Sequence, residues 1–401
     1  MVVNPDEFNY SALDTVITGE SVLSALPRLV NRKGVERVLL VASSSLATHT
    51  NQFAELQERL GTRCAGIFDR ISAHTPRDEV LVALQAARDV DADLLVSLGG
   101  GSIIDACKVI QLAIDQEIHS EEALLEYVQR SDGSRGSKAG DYSLFSEHSK
   151  IRQIAIPTTL SGAELSNNAG VLDRSRSAKE GYQGIDLCPQ CIIYDPELVL
   201  HTPQWLWLST AIRSLDHAIE GYCSADSNPF LDGHFLHAMK LFAESLPLTR
   251  TDPGDQQART LNQQAVWLAC CGLGTVAHGA SHGIGYILGS LFGVPHGYTS
   301  CVMLPAVLQW NVEQFAIQQD AIIQALGNSA YRPEQSSDVN AGSAVKALIA
   351  SLGLPTTLRQ VGVKSNQLDE IAARAIQHPV VRSNPRTLES TEQVREIQDL
   401  A

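Results

Sequence analysis

The spacing of apolar positions changes partway along the chain. In the first half, short unbroken apolar runs alternate with longer stretches at helical spacing. Residues 37–45, "RVLLVASSS", are a leucine and β-branched run ending in small polar residues, which predicts a buried strand and then a loop. Residues 77–92 carry the helical period, and 93–102, "DLLVSLGGGS", read as a second buried strand broken by three glycines. A helix is predicted over 103–114, with its start at Ser102, and a strand over 152–159 that Pro157 stops. Such alternation predicts parallel strands covered by helices. From about residue 195 onward strand signals become rare, and the second half reads as nearly all helix. Residues 127–150 are Gly/Ser-rich and polar, an excursion loop. The expectation is an α/β nucleotide-binding domain over 1–190 and a helical domain over 191–401, without internal repeats.

Composition narrows the class. Hydrophobic residues are 44% and charged ones 19% of 401, as in ordinary globular chains. No run approaches the roughly 18 apolar residues that span a bilayer. The start, "MVVNPDEFNYSALD", lacks the basic and apolar regions of a signal peptide, so a soluble cytoplasmic protein is expected. A net charge of −15 argues against nucleic acid as a partner. It does not exclude a phosphorylated cofactor held by backbone N–H groups at a helix start. The eight cysteines sit mostly in apolar runs, as reduced core residues do. "CPQC" at 188–191 has no second pair and reads as a loop with two thiols.

Three blocks carry candidate chemistry. In "LGGGSIIDACK", Gly99, Gly100, Gly101 and Ser102 end a strand and begin a helix, which suits a pyrophosphate but also an ordinary turn. Asp105 and Lys108 follow on the first turns, where an acid also favours the helix dipole. In "IPTTLSGAELS", Thr158, Thr159 and Ser161 offer hydroxyls to a nucleotide, or cap a following helix with Glu164 as partner. The third block is a histidine set: His217, His278, His282 and His296. "HGASH" places His278 and His282 on one helix face, four residues apart. A lone histidine is usually a satisfied core residue; four in one apolar, Gly-rich region favour a pocket.

In this order the blocks resemble the iron-dependent alcohol dehydrogenases and their metal-free relatives, the maleylacetate reductases. "GGGSxxDxxK", "IPTT", "DPEL" at 195–198 and "PHG" at 295–297 carry the resemblance over nearly the whole chain. "HTP" at 74–76 and "SNPR" at 383–386 lie nearest the maleylacetate reductase branch. The resemblance implies a Rossmann-like α/β domain followed by an all-α domain, the dehydroquinate synthase-like fold, and a homodimer. It also implies a metal held by one aspartate and three histidines. The histidines fall on His217, His282 and His296, but the aspartate falls on Arg213. Asp216 is displaced about 100° around a helix from its neighbour and does not replace it. Arginine stays protonated, and a divalent ion beside it meets several kcal/mol of repulsion, on the order Coulomb's law gives at intermediate dielectric. No bound metal is therefore expected. Where the family usually has a further histidine, four residues after His282, this chain has Tyr286.

The expectation is a metal-independent NAD(P)H-dependent oxidoreductase acting on a carbonyl or conjugated enone. Arg213, His217, His282, Tyr286 and His296 would stabilise the oxyanion and supply a proton, and Arg213 also suits an anionic, maleylacetate-like substrate. Gly99 through Ser102, Asp105, Thr158, Thr159, Ser161 and Lys179 are the cofactor contacts. Ser43 stands where an acidic residue favours NAD, which tips the expectation toward NADP. Two alternatives stand beside it: a metal alcohol dehydrogenase with a three-histidine site, and a redox-silent acid–base enzyme on the same fold.

Overall fold

The computed structural model describes residues 10–49, 51–130, 133–139, 149–176, 178–327 and 340–401. The first nine residues and part of the 127–150 excursion lie outside them. The first half contains β1 (Thr15–Thr18), α1 (Val22–Lys33), β2 (Val38–Ala42), α2 (Ser44–His49), α3 (Gln52–Leu60), β3 (Cys64–Phe68), α4 (Arg77–Asp89), β4 (Leu94–Gly99), α5 (Gly101–Asp115) and α6 (Glu121–Leu125). It continues with β5 (Gln129–Arg130), β6 (Arg152–Pro157), β7 (Asn168–Asp173), β8 (Ala178–Gln183) and β9 (Cys191–Tyr194). The helical half runs through α7 (Gln204–Tyr222), α8 (Pro229–Thr251), α9 (Gln256–Cys270), α10 (Ala280–Phe292), α11 (His296–Trp310), α12 (Ala316–Leu326) and α13 (Ala341–Ser351). It closes with α14 (Leu368–Ala375), α15 (Pro379–Arg382) and α16 (Thr391–Leu400).

Six strands form one parallel sheet in the order β1-β9-β6-β4-β2-β3. Every residue of β2 and β4 is buried, which is why both read as unbroken apolar runs. Helices α1 and α3 cover one face of the sheet, and α4 and α5 the other. From β2 the chain moves outward to β3, then crosses back to β4. The carboxyl ends of β2 and β4 thus flank a point where the winding reverses, where open α/β sheets bind ligands.

Three local expectations change. Residues after β2 form α2 from Ser44 onward rather than a loop. Helix α5 begins at Gly101, one residue before Ser102. Glu164 caps no helix; it lies buried in a short 3-10 turn and accepts the Tyr194 hydroxyl at 2.8 Å. An unforeseen element also appears: β7 and β8 form an antiparallel hairpin, and β5, from within the excursion, pairs on β8. Its strands, "NAGVLD" and "AKEGYQ", are short and broken by glycine and polar residues, so no apolar run marked them.

Buried charge pins this hairpin. Arg77 at the start of α4 donates to Glu180 and lies 3.3 Å from Asp173, both on the hairpin, with Glu121 beyond at 2.8 Å. Behind it, the buried Lys108 ammonium donates to the carbonyls of Ala163 (2.6 Å) and Asn168 (2.7 Å) and to Ser166 Oγ (2.9 Å).

In the second half, α7 is buried without a break from Trp207 to Gly221. A helix buried on all sides lies at a centre, not on a surface. Helix α11 approaches it so closely that a Cβ on Gly297 would stand 2.5 Å from the Ser209 carbonyl. Removing Arg77 leaves Asp173 buried without its cation and Glu180 with Arg130 alone. Arg77→Met is expected to cost about 3–5 kcal/mol, measured by urea unfolding.

Candidate active site

The cofactor blocks meet at one place. Ser43, at the end of β2, donates its N–H to the Leu98 carbonyl at 3.0 Å, and Thr158 N–H donates to the Gly99 carbonyl at 2.9 Å. A Cβ on Gly100 would sit 3.0 Å from Thr159 Cγ2, and one on Gly101 3.3 Å from Ser161 Oγ. The glycines therefore let the hydroxyl-rich loop lie directly on the start of α5. No side chain caps that start, so its first N–H groups remain for an anion. Thr159 Oγ1 and Ser161 Oγ lie 3.3 Å apart. This floor fits a nucleotide pyrophosphate.

Other predicted contacts are engaged by the protein. Ser102 Oγ accepts the His74 N–H at 2.9 Å. Asp105 Oδ2 accepts the Gly170 N–H at 2.9 Å, and Oδ1 lies 3.5 Å from Lys108. Burial pushes the Asp105 carboxyl above its usual range against these partners. Lys179 reaches across to the helical half, with Nζ 2.5 Å from His296 Nε2. It stands open to solvent at the cleft mouth but is surrounded by protein on most sides. That burial lowers its pKa, Asp105 opposes the shift, and Arg213 adds to it.

Deeper in, α7 presents Arg213, Asp216, His217 and Glu220. Arg213 is buried; Nη1 donates to Ser300 Oγ at 3.1 Å and lies 3.9 Å from Asp216 Oδ2. Ser300 Oγ donates in turn to Asp216 at 2.6 Å, as does Ser281 at 2.8 Å. The Arg213 guanidinium stacks 5.3 Å from the centre of the Tyr286 ring. Tyr286 also stands 6.4 Å from the His282 ring, 6.5 Å from His296 and 5.6 Å from His378.

Three imidazoles converge here. His217 Nδ1 lies 2.9 Å from both His278 Nε2 and His282 Nε2. One ring nitrogen carries one proton or one lone pair, so it makes only one of these two hydrogen bonds at a time. His278 reaches the cluster from the loop before α10, not from the face of a helix it shares with His282. His296 belongs instead with Lys179. Asp216 does reach His282, but from its other nitrogen, Nδ1, at 3.4 Å.

The Glu220 carboxylate accepts the N–H groups of Gly279 (2.9 Å), Ser281 (2.8 Å) and His282 (3.3 Å) at the start of α10, and its Oε2 lies 2.7 Å from His282 Nδ1. Burial, then repulsion from Asp216, holds its pKa above the usual range. Burial lowers all four imidazoles: His217, His282 and His296 well below their usual value, and His278 to about 3, with Arg213 adding to each. Burial thus favours the neutral imidazole at all four positions.

Sequence reasoning left Glu220, Ser281, Ser300 and His378 without a role. A carboxylate on α7 that meets the start of α10 only through folding leaves no local signal. His278 and His74 stood in view as motif residues, without a place.

Two family profiles match: "Iron-containing alcohol dehydrogenase" over residues 14–196, and "Fe-containing alcohol dehydrogenase family, C-terminal" over 207–400. The chain belongs to this family. It is 31% identical to "Dehydrogenase ALT3" of Alternaria alternata, over 88% of this chain and 96% of that one. It is 28% identical to a maleylacetate reductase of Pseudomonas sp. strain P51, over 93% and 92%. Among solved structures, the maleylacetate reductase of Rhizobium sp. strain MTP-10005 superposes with a TM-score of 0.80 at 26% identity, covering 98% of each chain. The protein is therefore an oxidoreductase enzyme near the maleylacetate reductase branch, in a family that uses NAD(P). Among the described residues, no helix is long and apolar enough to cross a membrane.

The lowered His278 pKa predicts acid sensitivity. An unfolded histidine takes its proton near pH 6.5, whereas the folded one stays neutral until about pH 3. Its contribution to stability is present above pH 6.5 and is lost as the pH falls through that window. His278→Gln should make the fall shallower between pH 6.5 and 4, by up to about 1.4 kcal/mol per pH unit, measured by urea unfolding at each pH.

Proposed function

We propose that the protein is a metal-independent NAD(P)H-dependent reductase of a carbonyl or conjugated enone, working in the cleft between the parallel sheet and the helices. Arg213 is the observation that carries this reading. At the position the resemblance gives to the aspartate ligand stands a buried guanidinium, tied through Ser300 to Asp216 and stacked on Tyr286. His296, at another ligand position, is hydrogen-bonded to Lys179. A divalent ion there meets one fixed cation and loses one ligand, so the residues present do not fit it at that place.

A dinucleotide held on Gly99, Gly100, Gly101, Thr159 and Ser161 would supply hydride from its nicotinamide. As hydride adds to the electrophilic carbon, the C=O bonding pair moves onto oxygen, and Arg213 meets the forming negative charge. The guanidinium keeps its own proton. The Tyr286 hydroxyl gives the oxygen its proton and regains one from solvent, while a neutral imidazole N–H of the His217 group donates a hydrogen bond to the same oxygen. Ser281 and Ser300 hold Asp216 3.9 Å from Arg213, which keeps the cation aimed.

Ser43 supports NADPH. Its backbone is fixed beside Gly99, and it brings a hydroxyl where a carboxylate would repel a 2′-phosphate. We place the protein in the cytoplasm, in keeping with eight free cysteines, as a homodimer acting on a small molecule. We divide it into a sheet unit and a helical unit near residue 190.

A second reading has its own observation: the nitrogens of His217, His278 and His282 lie within 4.8 Å of one another, close enough to share an ion. Metal analysis separates the two. Full activity after EDTA treatment, with substoichiometric iron and zinc, is expected; activity lost to EDTA and restored by either ion would favour the second. Arg213→Asp should lower kcat by about 10²–10³-fold and raise bound metal. Ser43→Asp should shift the ratio of kcat/KM values toward NADH by about tenfold; an unchanged ratio would remove Ser43 from the cofactor site.

A further inference from the structure

The loop that lies on the start of α5 ends in a buried acid that no step of the proposed reduction uses. Glu164 follows Ser161 by three residues and is fully buried. Its two oxygens are served unequally. Oε1 accepts the Tyr194 hydroxyl at 2.8 Å, whereas Oε2 is buried with no hydrogen-bond partner among the described residues. An anion in that state loses hydration that nothing replaces, a cost far smaller for the neutral carboxyl.

The neighbouring charges do not rescue the anion. On α5, the Lys108 ammonium serves the carbonyls of Ala163 and Asn168 and the Ser166 hydroxyl, with Asp105 beside it at 3.5 Å. Lys108 attracts an anion at Glu164 and Asp105 repels it, so the two oppose one another. On β9, burial raises the Tyr194 pKa well above its usual value, so its hydroxyl keeps its proton. The thiols of Cys188, before β9, and Cys270, at the end of α9, are held protonated by burial in the same way. Nor can the loop swing the acid into water. Gly162 lies at φ 75°, packed so closely that a Cβ there would stand 2.4 Å from Cys270 Sγ. Lys108 fixes Ala163, and Thr210 and Ser214 of α7 hold Leu160. A Cβ on Gly101 would meet Ala163 Cβ at 3.3 Å. Glu164 is thus fixed one residue behind the floor on which a pyrophosphate would rest.

We propose that Glu164 is a positioning residue that couples nucleotide binding to a proton: an anionic nucleotide binds tightly while Glu164 is neutral and weakly once it ionises. This rests on the reading of the floor as a pyrophosphate site. Ionised, Glu164 places a negative charge behind the N–H groups that would receive the phosphates, against the dipole of α5. The coupling is reciprocal, so a bound pyrophosphate raises the proton affinity of Glu164 and binding takes up a proton. Burial pushes the carboxyl up to about 7. The neutral form therefore predominates on the acid side of that value, and affinity falls as the pH rises through it.

ADP-ribose carries the pyrophosphate without the nicotinamide and has no group that titrates near neutrality. Isothermal titration calorimetry of the full chain with ADP-ribose therefore reads the coupling without turnover. Affinity should fall about five- to tenfold from about pH 6 to about pH 8. Binding near pH 7 in buffers of different ionisation enthalpy should show uptake of about 0.4 proton. Glu164→Gln keeps an acceptor for Tyr194 and cannot ionise, so its uptake should vanish and its affinity should stay flat with pH. Tyr194→Phe removes the hydrogen bond that favours the anion, so the fall in affinity should move to higher pH, a shift that a merely structural contact does not produce. No proton uptake in the unaltered chain, or equal uptake in a Glu164→Gln protein of unchanged melting temperature, overturns the coupling. Should Glu164→Gln fail to fold, an unmoved pH profile in Tyr194→Phe overturns it. No binding of ADP-ribose at any pH would overturn the pyrophosphate floor itself, and the coupling with it.

Discussion

The carboxylate of Glu220 joins the two helices on which the site is built. It takes three backbone N–H groups at the start of α10 and meets the ring of His282 as well. An acid at a helix N-terminus satisfies donors that otherwise remain unpaired and faces the positive end of the dipole. Because Glu220 rides on α7, one turn after His217, this contact sets the distance between the histidines of two different helices. It also brings His278, on the approach to α10, against the same ring nitrogen.

Helix α7 extends the coupling to the candidate cofactor floor. Thr210 accepts the Leu160 N–H at 3.0 Å, and Ser214 donates to the Leu160 carbonyl at 2.5 Å. The loop that carries Thr159 and Ser161 is therefore docked on the same helix that presents Arg213 and His217. That loop in turn lies on the glycines at the start of α5. Candidate cofactor floor and candidate oxyanion cation share one fully buried element, so neither shifts without the other.

The parallel sheet was legible because β2, β4 and β6 are buried on both faces and so appear as apolar runs bounded by small residues. The helical half was legible from its period. The β7–β8 hairpin was not, because its side chains alternate between a buried ion network and an open cleft. Glu164 illustrates the same limit. As an acid near a run of hydroxyls it looked like half of a helix cap, yet it lies fully buried against Tyr194, and burial raises its pKa to about 7.

The sequence by itself determined the order of elements, the glycine floor, the family, and the presence of arginine where the aspartate ligand belongs. Those features depend on residue type and on spacing along one strand or helix, which are local. Tertiary structure alone decided the partners. It gave Arg213 to Ser300, His296 to Lys179, and His278 to His217. Each of these contacts joins separate elements, and burial then decides their charge: imidazoles driven neutral, and a carboxyl held above its usual range. Spacing along the chain carries no record of either.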